Sequence, residues 1–347
     1  MKFGVLVNNN NVNLGDDIQS YAAAQFLPKI DYFVDRETID TFQSDNNEAV
    51  ACIFSAWWMR KKWNFPPASC LYPKLISMHL TNFEIPKKAA PFYTRMWEGV
   101  GGDYMRTFAP VGARDKRTFN ILKKLDIPAY FSGCVTLTLP KQPIIKKEKE
   151  YICLVDLEPA VEKRVVEMLS NTNVELKIMT QNRKKQRRGK EDCSWECRTR
   201  ETEELLTIYQ NAKCVITRRL HVALPCLAME VPVFVVFFKT NIRFSGYLEM
   251  LHMATPEEFL QGDYEYDFLN PPQNKPDYLH YRNQLTTQLK AFVAEAEMLD
   301  NVPKQLPYTE EEKKEWQFEV MKDTLNQYQP AANKMVVELE QLRVKTK

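Results

Sequence analysis

Two arginines and a histidine lie where a predicted strand ends and a helix begins, in the second half of the chain. Lys213–Thr217 is a short apolar run that predicts a buried strand, and Leu220–Glu230 has apolar residues at helical spacing. Pro232–Phe238 predicts a second buried strand, which a βαβ unit would place parallel to the first. Arg218 and Arg219 lie between the first strand and the helix, and His221 lies in the first helical turn. Because ligands of open α/β sheets bind at the carboxyl ends of strands, and helix N-termini favour anions, we predict an anion site here. His221 is the candidate proton donor, since imidazole titrates near neutral pH. The alternative is a surface arginine pair beside a histidine that is bonded to backbone.

Arg114 occupies the equivalent position in the first half of the chain. It follows the predicted strand Phe108–Ala113, and Asp115 is placed to cap the next helix. A guanidinium can pair bidentately with a carboxylate or a phosphate, so arginines from two strand ends would together bind a small polyanion. An ion pair between Arg114 and Asp115 is the alternative.

Pro225 falls inside the helix that follows His221. A proline in a helix interior removes one backbone hydrogen bond. The helix is therefore expected to begin only a few residues before Pro225 or to be kinked there, which in either case keeps Arg219 and His221 near its start.

A turn rich in asparagine and aspartate follows the first predicted strand. Asn13, Gly15, Asp16 and Asp17 lie in this turn, and a helix is predicted over Ile18–Leu27 with Asp16 or Asp17 as its cap. Gly15 would allow a close backbone approach. The chain contains neither GxGxxG nor GxxxxGK(S/T), so it supports neither a dinucleotide fingerprint nor a P-loop.

Other reactive side chains support weaker predictions. Cys193 and Cys197 could contribute two zinc ligands, but no second pair lies at a suitable spacing, so we expect neither a metal nor a cofactor. His79 ends a predicted strand and is expected to be structural or to face the acceptor.

A very basic loop and a group of tryptophans have two interpretations each. The basic run at 182–190 is either a solvated loop or a contact with anionic lipid or an acidic polysaccharide. Trp57, Trp58 and Trp63 either stack on sugars or pack within their loop.

Composition excludes several classes of protein. The 347-residue chain has a net charge of +2, which argues against bulk electrostatic binding of nucleic acid. Several of its eight cysteines lie in apolar strand or helix patterns, where reduced cysteine behaves as a small hydrophobe. We expect no secretory leader, because residues 1–7 themselves predict a strand, and no apolar run reaches about 18 residues. We expect a reduced cytoplasmic protein, with peripheral contact at the inner face of the membrane as an open alternative.

Strands and helices alternate in both halves, which is typical of α/β domains, and a β-rich stretch over Ala129–Leu139 is expected to close the first half. A segment rich in proline and lysine, 140–150, is the predicted linker. We predict two Rossmann-like domains that face a cleft, over residues 1–142 (acceptor side) and 143–300 (donor side). Residues 301–347 are predicted to form helices that pack back on the first domain, in segments Glu310–Tyr328 and Ala332–Val344.

Three segments together resemble the polysaccharide pyruvyl transferase family. The first is Asn13-Leu-Gly-Asp-Asp-Ile-Gln-Ser20, with the family-like opening N-x-G-D. The second is Val111–Asp115 together with Tyr130–Leu139, and the third runs from Thr217-Arg-Arg-Leu-His221 to Val231-Pro-Val233. Their order and spacing agree over roughly residues 1–255, and the tail after Asp277 carries no such motif.

The resemblance implies a fold like that of GT-B glycosyltransferases, phosphoenolpyruvate as donor and a sugar as acceptor. The acceptor would be a polysaccharide or its lipid-linked precursor, as in exopolysaccharide biosynthesis, and the product a cyclic pyruvate ketal. Arg219 and His221 match the family's Arg-Leu-His, and Arg114 matches an anion-binding arginine. Asn13 and Asp16 belong to the N-x-G-D opening and are candidate substrate contacts, whereas Arg218 is added on its charge alone.

One departure keeps two other functions open. The family often has a glycine-rich turn where this chain reads Ser55-Ala-Trp-Trp58, so the acceptor side differs. A GT-B glycosyltransferase that uses a nucleotide-sugar would have the same fold. A saccharide-binding homologue without activity is the other alternative.

Overall fold

The computed structural model describes residues 1–9, 11–58, 61–80, 90–145, 149–183, 194–238 and 242–345. Its strands are β1 Lys2–Val7, β2 Tyr32–Asp35, β3 Val50–Ile53, β4 Trp57–Trp58, β5 Leu71–Lys74, β6 His79–Leu80, β7 Val111–Ala113, β8 Ala129–Phe131, β9 Tyr151–Val155, β10 Glu175–Met179, β11 Cys214–Thr217, β12 Val233–Val236 and β13 His252–Ala254. Its α-helices are α1 Leu14–Ala24, α2 Gly99–Thr107, α3 Lys116–Lys124, α4 Pro159–Leu169, α5 Trp195–Gln210, α6 Leu220–Ala228, α7 Pro256–Gln261, α8 Tyr278–Met298 and α9 Glu310–Lys345.

Two parallel sheets organise the chain. The N-terminal sheet has the order β2-β1-β3-β5, and the C-terminal sheet has the order β10-β9-β11-β12-β13. A parallel pair, β7-β8, lies beside the N-terminal sheet, because Gly112 N donates to Leu75 O and Met78 N donates to Gly112 O. The predicted α/β class is confirmed, as is the parallel β11–α6–β12 unit.

The strands of the C-terminal sheet are buried apolar runs. Every residue of β9, β11 and β12 is buried, as expected for parallel strands with both faces covered. One hydrophobic cluster combines residues of both sheets, including Phe3 and Ile53 from the first and Val155 and Val235 from the second. Helices α1 and α6 contribute to the same cluster, so their N-termini are held close to each other.

Helix α1 begins earlier than predicted. It starts at Leu14 with Asn13 as its N-cap, whose side chain accepts from Gly15 N at 3.1 Å. The prediction of an aspartate cap was wrong because Asp16 and Asp17 lie inside the first turn, where a helix N-terminus also favours negative charge. The cap of α3 was predicted correctly, since the Asp115 side chain accepts from Thr118 N.

Two other expectations were wrong. The segment after Phe131 is not a strand, because Gly133 adopts a positive φ of 71° and residues Val135–Thr138 form a 3-10 turn. The two helices predicted near the C-terminus form the single helix α9, which continues through Pro330. This helix contacts the N-terminal half through the Arg95–Asp323 ion pair and the hydrogen bond from Lys313 Nζ to Asp40 O.

Backbone bonds join the start of α1 to the loop after β10. Leu14 N donates to Gln181 O at 2.9 Å, and Arg183 N donates to Val12 O at 2.7 Å. Asn13 and Asn182 form an antiparallel bridge at the same place. We call residues 12–14 and 181–183 the seam, because they connect a segment before the predicted linker to a segment after it.

Candidate functional site

A small pocket of about 30 Å³ lies beside the seam. Its lining residues are Asn13, Asp16, Arg114, Gln181, Arg219, Leu220, His221 and Arg243. Five of the six residues predicted from sequence are therefore in one place, although they come from distant parts of the chain. Arg218 is not among them.

Arg114 is a buried cation at the end of β7. Its side chain is 1% exposed, and its Nη1 donates to Gln19 Oε1 at 2.8 Å. Within the described residues its Nε has no hydrogen-bond partner and no carboxylate lies at ion-pair distance. The backbone is fixed on both sides, because Arg114 N donates to Met78 O and Arg114 O accepts from Tyr247 Oη at 2.6 Å. A buried charge is costly unless it is paired, so this guanidinium is poised to receive an anion.

Asp115 pairs with His79 rather than with Arg114. His79 Nδ1 lies 2.5 Å from Asp115 Oδ2, and both side chains are almost fully buried. Burial and the charge of Arg114 lower the pKa of His79 to about 4, although Asp115 opposes the shift. The Arg114–Asp115 ion pair considered above is therefore absent from the described contacts, and Asp115 does not neutralise the guanidinium that lines the pocket.

His221 occupies a kink that Pro225 makes possible. The helix begins five residues before the proline, so the first of the two alternatives is confirmed, and His221 departs from helical geometry with φ −83° and ψ 17°. Because a proline cannot donate to the carbonyl four residues earlier, His221 O is left for another donor. Gln181 Nε2 donates to it at 2.8 Å.

The imidazole faces two other reactive groups. His221 Nε2 lies 3.4 Å from Arg114 Nη1 and 3.8 Å from Cys134 Sγ. Desolvation, then the charges of Arg114 and Arg243, hold the pKa of His221 well below its usual value. The ring is therefore neutral near pH 7 in the free protein, with Nε2 as the acceptor towards Arg114.

Gly15 allows α1 to approach this histidine closely. A Cβ atom at position 15 would lie 3.1 Å from both Cβ and Nδ1 of His221, which is tighter than an ordinary contact. The close approach predicted for Gly15 is thus observed, with a side chain of α6 as the neighbour.

Asp16 is held by several amides. Its carboxylate accepts from the side chains of Asn8 at 3.2 Å, Gln19 at 3.2 Å and Asn11. It therefore brings a fixed negative charge to a pocket that is otherwise basic.

The two adjacent arginines point to different places. Arg219 Nε lies 3.0 Å from Asp156 Oδ2, its side chain is 29% exposed, and it lines the pocket. Arg218 Nη1 pairs with Glu158 at 3.1 Å, its Nε donates to Asp156 O, and its side chain is 45% exposed. Arg218 thus lies outside the pocket, because carboxylate and carbonyl partners on the far side of the turn hold it there.

Four contributors were missed by the sequence analysis. Gln19 and Gln181 orient Arg114 and His221, Asp156 pairs with Arg219, and Arg243 lines the pocket. Asp156 could have been found, since it directly follows β9 as Arg114 follows β7. The glutamines and Arg243 have no such local signal.

A second buried charge cluster lies behind α1. Asp17 pairs with Arg198 and with Arg183, each at 2.8 Å, and Arg183 also pairs with Glu201 at 2.5 Å. Arg198 donates to Asn8 O at 3.0 Å as well. We call these four charged side chains the clasp cluster, because they connect α1 with α5 and with the loop after β10.

Some predicted features lie outside the described residues. They include Cys193, residues 184–190 of the basic loop, and the side chains of Trp57 and Trp58. In the parts of the chain that are described, no three His, Cys, Asp or Glu side chains are grouped to hold a metal ion. No helix in those parts is long and apolar enough to cross a membrane.

Parallel α/β sheets carry a basic, imidazole-containing pocket at their strand ends, which is where ligands of open α/β sheets bind. Residues 103–236 match the model of the family described as polysaccharide pyruvyl transferase. The match confirms the resemblance, and the matched region contains Arg114, Arg219 and His221. No curated protein matches the chain.

Proposed function

We propose that the protein transfers the enolpyruvyl group of phosphoenolpyruvate to a sugar, where it closes a pyruvate ketal. One observation carries this proposal. Arg114 is a buried guanidinium without a carboxylate partner among the described residues, and it shares one pocket with His221 and Arg219. All three residues lie in the region that matches the family model.

The reaction balances with two hydroxyls of one sugar. C3 of the donor gains a proton and becomes a methyl group, which makes C2 electrophilic. One hydroxyl oxygen bonds to C2, the C2–O bond to phosphate breaks, and a second hydroxyl closes the ring. Of the two hydroxyl protons released, one replaces the proton given to C3 and the other leaves with phosphate.

His221 is the proposed acid, and its proton would arrive with the donor. Near neutral pH a phosphate group carries about −1.5 to −2 charge. Bound beside Arg114 and Arg243, that charge offsets the positive field that lowers the pKa of His221. Proton uptake by the ring would therefore accompany donor binding.

The pocket must widen before a donor can enter. At about 30 Å³ it has room for roughly two water molecules. With the proposed domain boundary near residues 142–143, Arg114 and His221 belong to opposite domains that face a cleft. Relative movement of these domains would open the pocket, and closure would exclude water from the reacting centre.

The acceptor is proposed to be a sugar of a polysaccharide or of its lipid-linked precursor. A lipid-linked acceptor would place the reaction at the inner face of the membrane, where the basic segment 182–190 could meet anionic lipid.

Phosphate release from phosphoenolpyruvate tests the proposal. The protein is incubated with free and lipid-linked glycans that contain galactose, glucose, mannose or N-acetylmannosamine, and products are identified by mass spectrometry. Expected are stoichiometric phosphate release and a ketal on one acceptor. Arg219→Ala should weaken donor binding by about tenfold, as expected for one charge-assisted hydrogen bond.

A thermal-shift comparison separates the two alternatives. Stabilisation by UDP- or GDP-sugars, without stabilisation by phosphoenolpyruvate, would replace the proposal with a nucleotide-sugar glycosyltransferase. Glycan binding without phosphate release from any acceptor would indicate a saccharide-binding protein.

A further inference from the structure

We infer that Arg243 binds the anionic donor together with Arg114, in the role that charge alone had suggested for Arg218. The inference rests on the proposed function. It assigns the inner, two-guanidinium part of the pocket to Arg114 and Arg243, and the outer rim to Arg219.

Position is the first argument. Arg243 lies in the 3-10 turn Ile242–Phe244, after the carboxyl end of β12, and its side chain lines the same pocket as Arg114 and His221. Strand β12 pairs directly with β11, which leads to His221. His221 and Arg243 thus follow two paired strands of the C-terminal sheet, and Arg114 follows β7 of a separate strand pair, so that all three basic groups line one pocket.

The turn that carries Arg243 is anchored firmly. Phe244 is 1% exposed, and its ring stacks on Phe237 with centroids 4.1 Å apart. Ser245 O accepts from Lys116 N at 3.0 Å, two residues beyond Arg114. Tyr247 donates to Arg114 O. The same loop therefore fixes the backbone around both guanidiniums, and a preorganised pair needs little further ordering when a ligand binds.

Electrostatics supports the same assignment. Burial, followed by the charge of Arg114, lowers the pKa of Arg243 to about 10, so it remains protonated near neutral pH. The charges of Asp16 and Asp115 oppose this shift. Two guanidiniums in one small cavity repel each other, and an anion between them removes that repulsion.

Arg219 is assigned to the outer rim. Its side chain is 29% exposed, whereas that of Arg114 is 1% exposed. Its guanidinium pairs with Asp156, which also accepts from Gln181 N in the seam at 3.0 Å.

The test compares three variants by isothermal titration calorimetry with phosphoenolpyruvate. Arg243→Gln should weaken binding by about 10- to 150-fold, the range for hydrogen bonds to charged groups. Arg243→Lys should lie between Arg243→Gln and the unchanged protein, since a point charge replaces a bidentate fork. Arg106→Gln, at an exposed arginine paired with Asp103, is the matched control and should bind as the unchanged protein does.

Circular dichroism and melting temperature establish that each variant is folded, and Arg243→Lys keeps the charge if Arg243→Gln does not fold. Binding of phosphoenolpyruvate by a folded Arg243→Gln within threefold of the unchanged protein would overturn the inference and leave the proposed function standing.

Titrations with two further probes, inorganic phosphate and UDP, distinguish a failure of the inference about Arg243 from a failure of the proposed function. If the unchanged protein binds UDP but not phosphoenolpyruvate, and Arg243→Gln weakens UDP binding, then the proposed function fails while Arg243 remains an anion-binding residue. If Arg243→Gln changes the affinity for none of the anions that the unchanged protein binds, the inference is wrong.

Discussion

Two buried charge clusters lie on either side of helix α1, and they differ in how their charges are matched. In the clasp cluster two carboxylates face two guanidiniums, with Arg198 between Asp17 and a backbone carbonyl. In the pocket, Arg114 has no such carboxylate among the described residues, and the imidazole beside it is kept neutral. The charges of the clasp cluster are therefore matched within the free protein, whereas we propose that a bound anion balances the charge of Arg114.

The comparison predicts that substitutions of chemically similar residues in the two clusters have different effects on stability and on binding. Removing one partner of a matched buried pair leaves a stranded charge and destabilises the fold. Removing a buried charge that lacks a partner should change the free energy of unfolding little and should weaken ligand binding instead. Three substitutions and one pH dependence test this difference between the clusters, and they are given from the largest expected effect to the smallest.

His221→Gln should lower turnover by about 10²- to 10⁴-fold, the usual contribution of a general acid. Glutamine fills similar space and keeps a polar group near Arg114, so the affinity for phosphoenolpyruvate should stay within about threefold. Steady-state phosphate release and calorimetry measure the two quantities. Full turnover in this variant would remove His221 from the mechanism, and a loss of affinity alone would make it a binding residue.

Arg198→Met should reduce the free energy of unfolding by about 1.5–3 kcal/mol, because the buried Asp17 loses a charged hydrogen-bond donor, although it keeps its ion pair with Arg183. Urea denaturation measures the change. The control is Arg106→Met, at an exposed pair where about 0–1 kcal/mol is expected. If Arg198→Met were as stable as its control, the clasp cluster would not be a stabilising feature.

Arg114→Met should show the opposite pattern. Its free energy of unfolding should fall by no more than about 1 kcal/mol, the hydrogen bond to Gln19 being the main loss. The affinity for phosphoenolpyruvate should drop by about 30-fold or more, as for a buried charge that loses its partner. A variant that loses stability and keeps its affinity would reverse the comparison.

The smallest effect concerns acid stability. The pKa of His221 is lowered in the fold relative to about 6.5 in an unfolded chain, so its neutral form stabilises the protein above pH 6.5. That stabilisation is lost as pH falls below 6.5, by at most about 1.4 kcal/mol per pH unit. His221→Gln should flatten the decline, and His79, with a pKa of about 4, should sustain part of it. An unchanged slope in His221→Gln would mean that the ring titrates normally.

Local patterns were sufficient for the parts of the fold that depend on neighbours in sequence. The apolar runs of β9, β11 and β12 predict buried parallel strands, and Pro225 predicts that α6 begins only a few residues earlier. Two helices were expected on either side of Pro330, but the helix formers around it continue α9 across the proline. A proline removes one backbone hydrogen bond of a helix, and the helix propensity of the surrounding residues determines whether the helix ends there.

The sequence predicted those site residues that follow a predicted strand, because ligands of α/β sheets bind at strand ends. Arg114, Arg219 and His221 lie at such ends and converge in the pocket. Gln19 reaches Arg114 across 95 residues, which no local pattern encodes. Charge alone cannot separate Arg218 from Arg219, since the partners that divide them, Glu158 and the Asp156 side chain, are brought near by another strand.

We expect the seam to limit the rate at which a ligand binds. Asn13 and Gln181 line the pocket and belong to the segments whose amides and carbonyls bind each other. A molecule too large for the closed pocket could enter only after the backbone hydrogen bonds of the seam break, whatever its rate of collision with the surface. The rate of association should therefore level off at high ligand concentration, at a ceiling set by the protein's own motion.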